Sequence, residues 1–295
     1  MKKSFFIASL LIVSVHSFAQ STGSKPEILY GAISKEDMLR PPFDKWFVEG
    51  YDAYQPDTTV ISSLRKINMK NTSIRIFLGT WCGDSRREVP RFLKILHELS
   101  FPLQQVHIIA VGGGDSLYKQ SPQHEETGKG IFRVPVFILY KNDKEIGRIN
   151  EYPSYSLEKD MLALLSGRSY IPNYRSFETI RNWLADGTMT DKNITARSLA
   201  WQLKPLVGGE NELNSLGYLL LKQDKKEAAL KLFQVNAHLY PESSNVISSL
   251  GEGYYETGDQ KNAVQYLERS LELNKDPQKV KELLGILYKA KGIKE

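Results

Sequence analysis

The chain has 295 residues, 41% of them hydrophobic and 25% charged. That is enough to bury one large or two ordinary cores, and no long tract has the composition of a disordered segment. The formal net charge is +5, and loss of Lys2 and Lys3 with a cleaved leader would leave +3, too weak and too scattered to imply a nucleic-acid partner. The one cysteine, Cys82, excludes an internal disulfide.

Residues 1–19 have the form of a signal peptide. Lys2 and Lys3 precede an apolar run, Phe5 to Val15, that is too short to span a bilayer, and Ser17-Phe18-Ala19 places small residues before a cleavage point at Gln20. No cysteine lies near that point, so the mature chain is expected to be exported to the periplasm or the outer side of a bacterial envelope without a lipid anchor. No other stretch is long and apolar enough for a membrane span. Residues 20–45, with Pro26, Pro41 and Pro42, read as an irregular lead-in.

From residue 46 to 169 the pattern is that of an α/β unit. Val60 to Ile67 is amphipathic. Ile74, Ile76 and Leu78 alternate as a strand over 73–78, and Val89, Phe92, Leu93, Leu96 and Leu99 mark a helix over 84–99. Val106 to Val111 is a β-branched strand ending at Gly112-Gly113-Gly114. After a helical or irregular stretch, strands 136–140 and 145–149 flank the turn Lys141-Asn142-Asp143-Lys144, and 157–165 is a closing helix. This order implies a central mixed sheet flanked by helices. Residues 170–209 form a helical connector, with short helices expected around Phe177 to Leu184 and Ile194 to Leu206. Its apolar periodicity is sparser than that of its flanks, so proteolysis is expected there first.

The remainder, 210–295, repeats. Leu216, Leu250 and Leu284 recur every 34 residues; so do Gly217, Gly251 and Gly285, and Leu220, Tyr254 and Tyr288. Ala229 and Ala263, and Phe233 and Leu267, share the offset, and Pro241 closes the first unit. This pattern resembles the tetratricopeptide (TPR) repeat family, with units at 210–243 and 244–277 and a capping helix at 278–290. The resemblance implies an all-α TPR domain with a groove for a protein partner, lined by Asn214, Tyr218, Ser248, Glu252 and Tyr255. Packing of the array on its own neighbouring domain is the plainer alternative.

Chemistry is concentrated where strand 73–78 runs into Gly79-Thr80-Trp81-Cys82-Gly83-Asp84-Ser85. A cysteine at a strand-to-helix turn faces the unpaired N–H groups of the helix start, which favour the thiolate nucleophile. Trp81-Cys82-Gly83 after a strand, Pro90 in the following helix, and Val134-Pro135 before the strand Val136 to Tyr140 together resemble the thioredoxin superfamily over roughly residues 46–168. The resemblance implies a thioredoxin-like fold with Cys82 as attacking cysteine, Trp81 shielding the sulfur, and a cis Pro135 presenting the Val134 backbone to a substrate strand. The departures are equally specific. Ser85 stands where the resolving cysteine belongs, and Ile76 where an acid would serve that second thiol. The dithiol cycle therefore cannot run. Ser85 could bond the Cys82 thiolate; Asp84 opposes its charge, while Arg86 and Arg87 favour it.

Other motifs carry less. Gly112-Gly113-Gly114 lacks the Lys-Ser/Thr of a phosphate loop. His97, on the helix after Cys82, and His124, in a loop, are the candidates to approach Cys82 as a base, and one cysteine with five scattered histidines shows no metal spacing. No cofactor is expected. The reading is an exported CxxS monothiol protein that forms mixed disulfides with client proteins or small thiols, its repeats holding the partner. A redox-inactive thioredoxin-fold/TPR adaptor is the alternative, and exposure of Cys82 separates the two.

Overall fold

The computed structural model of the chain describes residues 27–114, 117–274 and 276–293. The expected leader, its cleavage site and Gln20 lie outside the described residues. The N-terminal part is built on a five-stranded mixed sheet in the order β1-β3-β2-β4-β5. The strands are β1 (Gly31–Ile33), β2 (Thr72–Leu78), β3 (Val106–Ala110), β4 (Val136–Lys141) and β5 (Lys144–Asn150). Only β2 and β3 are parallel, with Ile76 opposite Ile108; β1, β4 and β5 join antiparallel. The β4–β5 turn has Asn142 at φ +48° and Asp143 at φ +61°, the left-handed backbone that a two-residue hairpin favours and that Asn and Asp tolerate.

One face of the sheet carries the helices α1 (Lys35–Met38), α2 (Asp44–Ala53), α3 (Thr58–Leu64), α4 (Gly83–Glu98) and α5 (Leu157–Leu165). Alternation along β2 sends Ile74, Ile76 and Leu78 to that face, where they join Phe47, Phe92 and Phe137 in the main core. Phe92 and Phe137 stack at 4.2 Å between centroids. Phe77 points the other way, into a smaller cluster with Ile109, Val111, Val134, Val136 and Ile138. No α-helix lies between β3 and β4 among the described residues, so the segment joining them lays no helix on this second face.

Two expectations need correction here. Residues 20–45 are not simply an irregular lead-in, because β1 and α1 lie within them; β1 completes the sheet edge by pairing with Ile108, Ile109 and Ala110. Residues 170–209 do contain two helices, α6 (Ser176–Ala185) and α7 (Ala196–Leu203). Yet Phe177, Ile180, Trp183, Leu199 and Leu203 are buried in one cluster with Leu216, Leu220 and Phe233 of the helices that follow. An apolar set buried in a shared core opens only with that core, so early cleavage in this connector is no longer the expected outcome.

The helical region continues as α8 (Glu210–Lys222), α9 (Lys226–Leu239), α10 (Ser244–Glu256), α11 (Gln260–Leu273) and α12 (Pro277–Ala290). The period has a packing cause. A Cβ on Gly217 would lie 2.3 Å from the Phe233 ring, and one on Gly251 would lie 2.8 Å from Leu267. Each glycine admits the large residue of the partner helix. At Gly285, in α12, a Cβ would meet nothing within 4 Å, because no further helix among the described residues packs there.

Candidate functional site

Cys82 is the N-cap of α4, in extended backbone at φ −92° and ψ 127°. β2 delivers it to that position, and Cys82 N–H closes a turn on the Gly79 carbonyl at 2.9 Å. The side chain is half-buried. Its sulfur donates to the Val134 carbonyl at 3.3 Å, and the Val134–Pro135 bond that follows is cis. Thus Cys82 is brought against the buried Val134–Pro135 segment, distant in sequence. Pro90 sits inside α4, where it withholds an N–H from the carbonyl four residues earlier.

Trp81 is held on both sides. A Cβ on Gly79 would lie 2.5 Å from the indole, and one on Gly113 2.7 Å. The indole N–H donates to the Val111 carbonyl at 3.0 Å, and the ring faces Tyr118 at 5.3 Å. Gly113 in the glycine run therefore makes room for Trp81. Thr80 serves structure, its hydroxyl accepting from Leu29 N–H at 3.1 Å.

The polar residues after Cys82 turn away from the sulfur. Ser85 is fully buried, and its hydroxyl accepts from Gly79 N–H at 3.1 Å, which braces the turn. Asp84 pairs with Arg87 at 2.7 Å, Arg87 also reaches Glu88, and Arg86 donates to the Thr80 carbonyl at 2.5 Å. Gly83 is open: a Cβ there would meet nothing within 4 Å. Ile76 lies in the helix-facing core. His97, in the last turn of α4, is about 22 Å along the axis at 1.5 Å per residue, and packs against Tyr51. His124 is exposed beside Glu126. Neither is placed as a base for Cys82.

The neighbours that reading the sequence missed come from elsewhere. Lys119 is 6% exposed, and its ammonium donates to the Phe132 carbonyl at 2.7 Å. Burial pulls it down to about 8; Arg133 and Lys222 push the same way, while Glu151 and Cys82 resist. Burial also raises Tyr118, against the nearby Lys222 and Arg133 cations. Arg133, just before Val134, donates to Ser215 of α8 at 2.6 Å and pairs with Glu151 at 3.5 Å. Lys222 of α8 lies over the Tyr118 ring at 4.8 Å. The helical region therefore touches the segments that surround the cysteine. One signal was legible: a lone arginine inside the apolar run Ile131-Phe132-Arg133-Val134.

In the helical region Tyr218 donates to Glu252 and lies within hydrogen-bond reach of Ser249, both at 3.0 Å, joining α8 to α10. Burial raises the Glu252 carboxyl, and the Tyr218 bond only partly offsets this. Ser248 is half-buried and bonded within its own helix; Tyr255 is half-buried as well. Asn214 does not line a groove. It is buried and accepts from Asn236 at 3.1 Å, inside the α8–α9 pair.

Among the described residues no His, Cys, Asp and Glu cluster is placed to hold a metal ion, and no helix is long and apolar enough to cross a membrane. No protein-family model, curated protein or solved structure matches the chain.

Proposed function

We propose that the chain is an exported monothiol protein of thiol–disulfide exchange, a thioredoxin-like domain joined to TPR-type repeats. The observation that carries this reading is the position of Cys82: half-buried at the start of a 16-residue helix, its sulfur 3.3 Å from the Val134 carbonyl and beside cis Pro135. In the proposed step the Cys82 thiolate attacks a client disulfide. A bond forms between Cys82 and one client sulfur, and the other client sulfur leaves as a thiolate, so no electrons are gained or lost overall. Release needs a second thiol from outside the chain, because the Ser85 hydroxyl is buried on Gly79 N–H and is too weakly acidic to attack sulfur.

Native-state labelling with a thiol reagent tests this. Cys82 is expected to react in the folded protein, and a Cys82→Ser variant to lose all adducts captured from cells. Labelling only after denaturation would sink the monothiol reading. The alternative is a redox-inactive adaptor, in which the contacts of α8 with Arg133 and Tyr118 would join the two parts without any role for the thiol. It expects Cys82→Ser to keep every partner, captured without a covalent link.

A further inference from the structure

A cavity of 470 Å³ lies alongside the free edge of β5, away from Cys82. Its origin is a bulge. β4 and β5 pair Leu139 with Gly147 and Tyr140 with Glu145, which leaves Ile146 as an extra residue. Side chains alternate across a regular strand, so Glu145 and Arg148 would otherwise point to opposite faces. The extra residue puts both on the face shared with Ile138 and Tyr140, where they form a two-pronged ion pair at 2.7 and 2.8 Å. On the other face Gly147 leaves room that Leu164 of α5 fills. The walls come from both sides of the sheet edge: Leu164 and Arg168 from α5 and its end, Phe177 and Arg181 from α6.

The lining is cationic. Arg148, Arg168, Arg175 and Arg181 face Glu145 and Glu178, a net charge of +2. Glu145 is already spent. Burial would raise its carboxyl, but Arg148 and Arg181 outweigh this and hold it below the usual range. Arg148 is spent as well, on Glu145 and the Lys129 carbonyl at 2.5 Å. Arg168 makes no side-chain hydrogen bond or ion pair among the described residues, and Arg175 makes one, to the Pro205 carbonyl at 2.6 Å. Guanidinium forks with unspent donors match oxyanions. Apart from the Asn150 amide, the remaining side chains present mostly carbon. The Tyr170 and Tyr174 hydroxyls are committed to Asp160 and Glu151, neither of which lines the cavity, and the Tyr174 ring stacks on Phe177 at 4.7 Å.

We propose that this cavity binds a small organic anion, an oxyanion group attached to an apolar or aromatic body. Arg168, Arg175 and Arg181 take the charged end, and Tyr170, Pro172 and Phe177 take the body. The volume fits an organic molecule, since small-molecule sites begin at roughly 300 Å³; an inorganic ion would leave most of it unfilled. This site is independent of the chemistry assigned to Cys82, which does not line it.

Titration calorimetry of the full chain with phenyl phosphate, benzoate, inorganic phosphate and benzyl alcohol tests the assignment. One of the aromatic anions is expected to bind at a single site about tenfold or more tighter than inorganic phosphate, with no heat from benzyl alcohol. Phenyl phosphate against benzoate then names the preferred head group. Arg168→Ala/Arg175→Ala should weaken that binding about tenfold or more, and Glu178→Gln should strengthen it. Arg168 and Arg175 are exposed, so unchanged circular dichroism and thermal midpoint will separate lost binding from lost folding. Absence of binding by both aromatic anions at millimolar concentration overturns the proposal. So does equal affinity in the double variant, or tighter binding of inorganic phosphate than of either aromatic anion.

Discussion

The helical region and the sheet region both bring backbone against a large side chain by means of glycine, but only in the helices does the spacing recur. In the helices the contacts are Gly217 with Phe233 and Gly251 with Leu267, a short and constant separation that repeats with the 34-residue period. In the sheet region Gly113, after β3, receives Trp81 from the end of the neighbouring strand β2, and nothing local announces it. The difference teaches that one glycine pattern reports packing directly, while the other could be mistaken for a phosphate-binding or flexible loop.

The largest effects should come from the repeat glycines, and the series breaks the comparison if the three positions behave alike. Gly217→Ala forces a methyl to within 2.3 Å of the Phe233 ring and should cost about 3 kcal/mol or more. Gly251→Ala, at 2.8 Å from Leu267, should cost about 2 kcal/mol. Gly285→Ala meets open space and should gain up to about 1 kcal/mol from helix propensity. Urea midpoints with unchanged slopes measure all three.

The sheet-region counterpart is Gly113→Ala. It should cost about 1–3 kcal/mol by displacing the indole. Because Trp81 precedes Cys82, it should also shift tryptophan emission and the native labelling rate of Cys82. A stability loss with both signals unchanged would mean that Trp81 does not shape the cysteine site.

The smallest effect concerns Lys119. Its ammonium is lowered to about 8 when folded, chiefly by burial. The unfolded chain therefore holds more protons between pH 8 and the ordinary lysine range near 10.5, and stability should rise with pH across that window. Lys119→Met removes this group, so the difference in stability between wild type and variant should change by about 1 kcal/mol or more from about pH 7.5 to about pH 10. Parallel pH curves would show that Lys119 is solvated.

Much of the fold was legible because it rests on local periodicity. The alternation of Ile74, Ile76 and Leu78, the helical spacing from Val89 to Leu96 and the hairpin turn at Asn142-Asp143 each express a contact made within one or two elements. β1 escaped notice because three residues, Gly31-Ala32-Ile33, are too few to show an alternation; only pairing with β3 makes them a strand. The connector looked loose for a similar reason: Phe177, Ile180 and Leu203 are too sparse to form a core alone and become one only against α8 and α9.

The candidate site divides in the same way. Cys82 at a strand-to-helix junction, the absence of a second thiol, a serine three residues after Cys82 and the 34-residue period were all determined by the sequence itself, since each depends on residue identity or spacing along the chain. The tertiary structure alone decided that the Cys82 sulfur meets the Val134 carbonyl, that the Ser85 hydroxyl accepts from Gly79, that Asn214 is interior, and that Lys119, Arg133 and Lys222 gather near Tyr118. The physical reason is that hydrogen bonds and burial act over a few ångströms in space, and chain order constrains that distance only between residues of the same element.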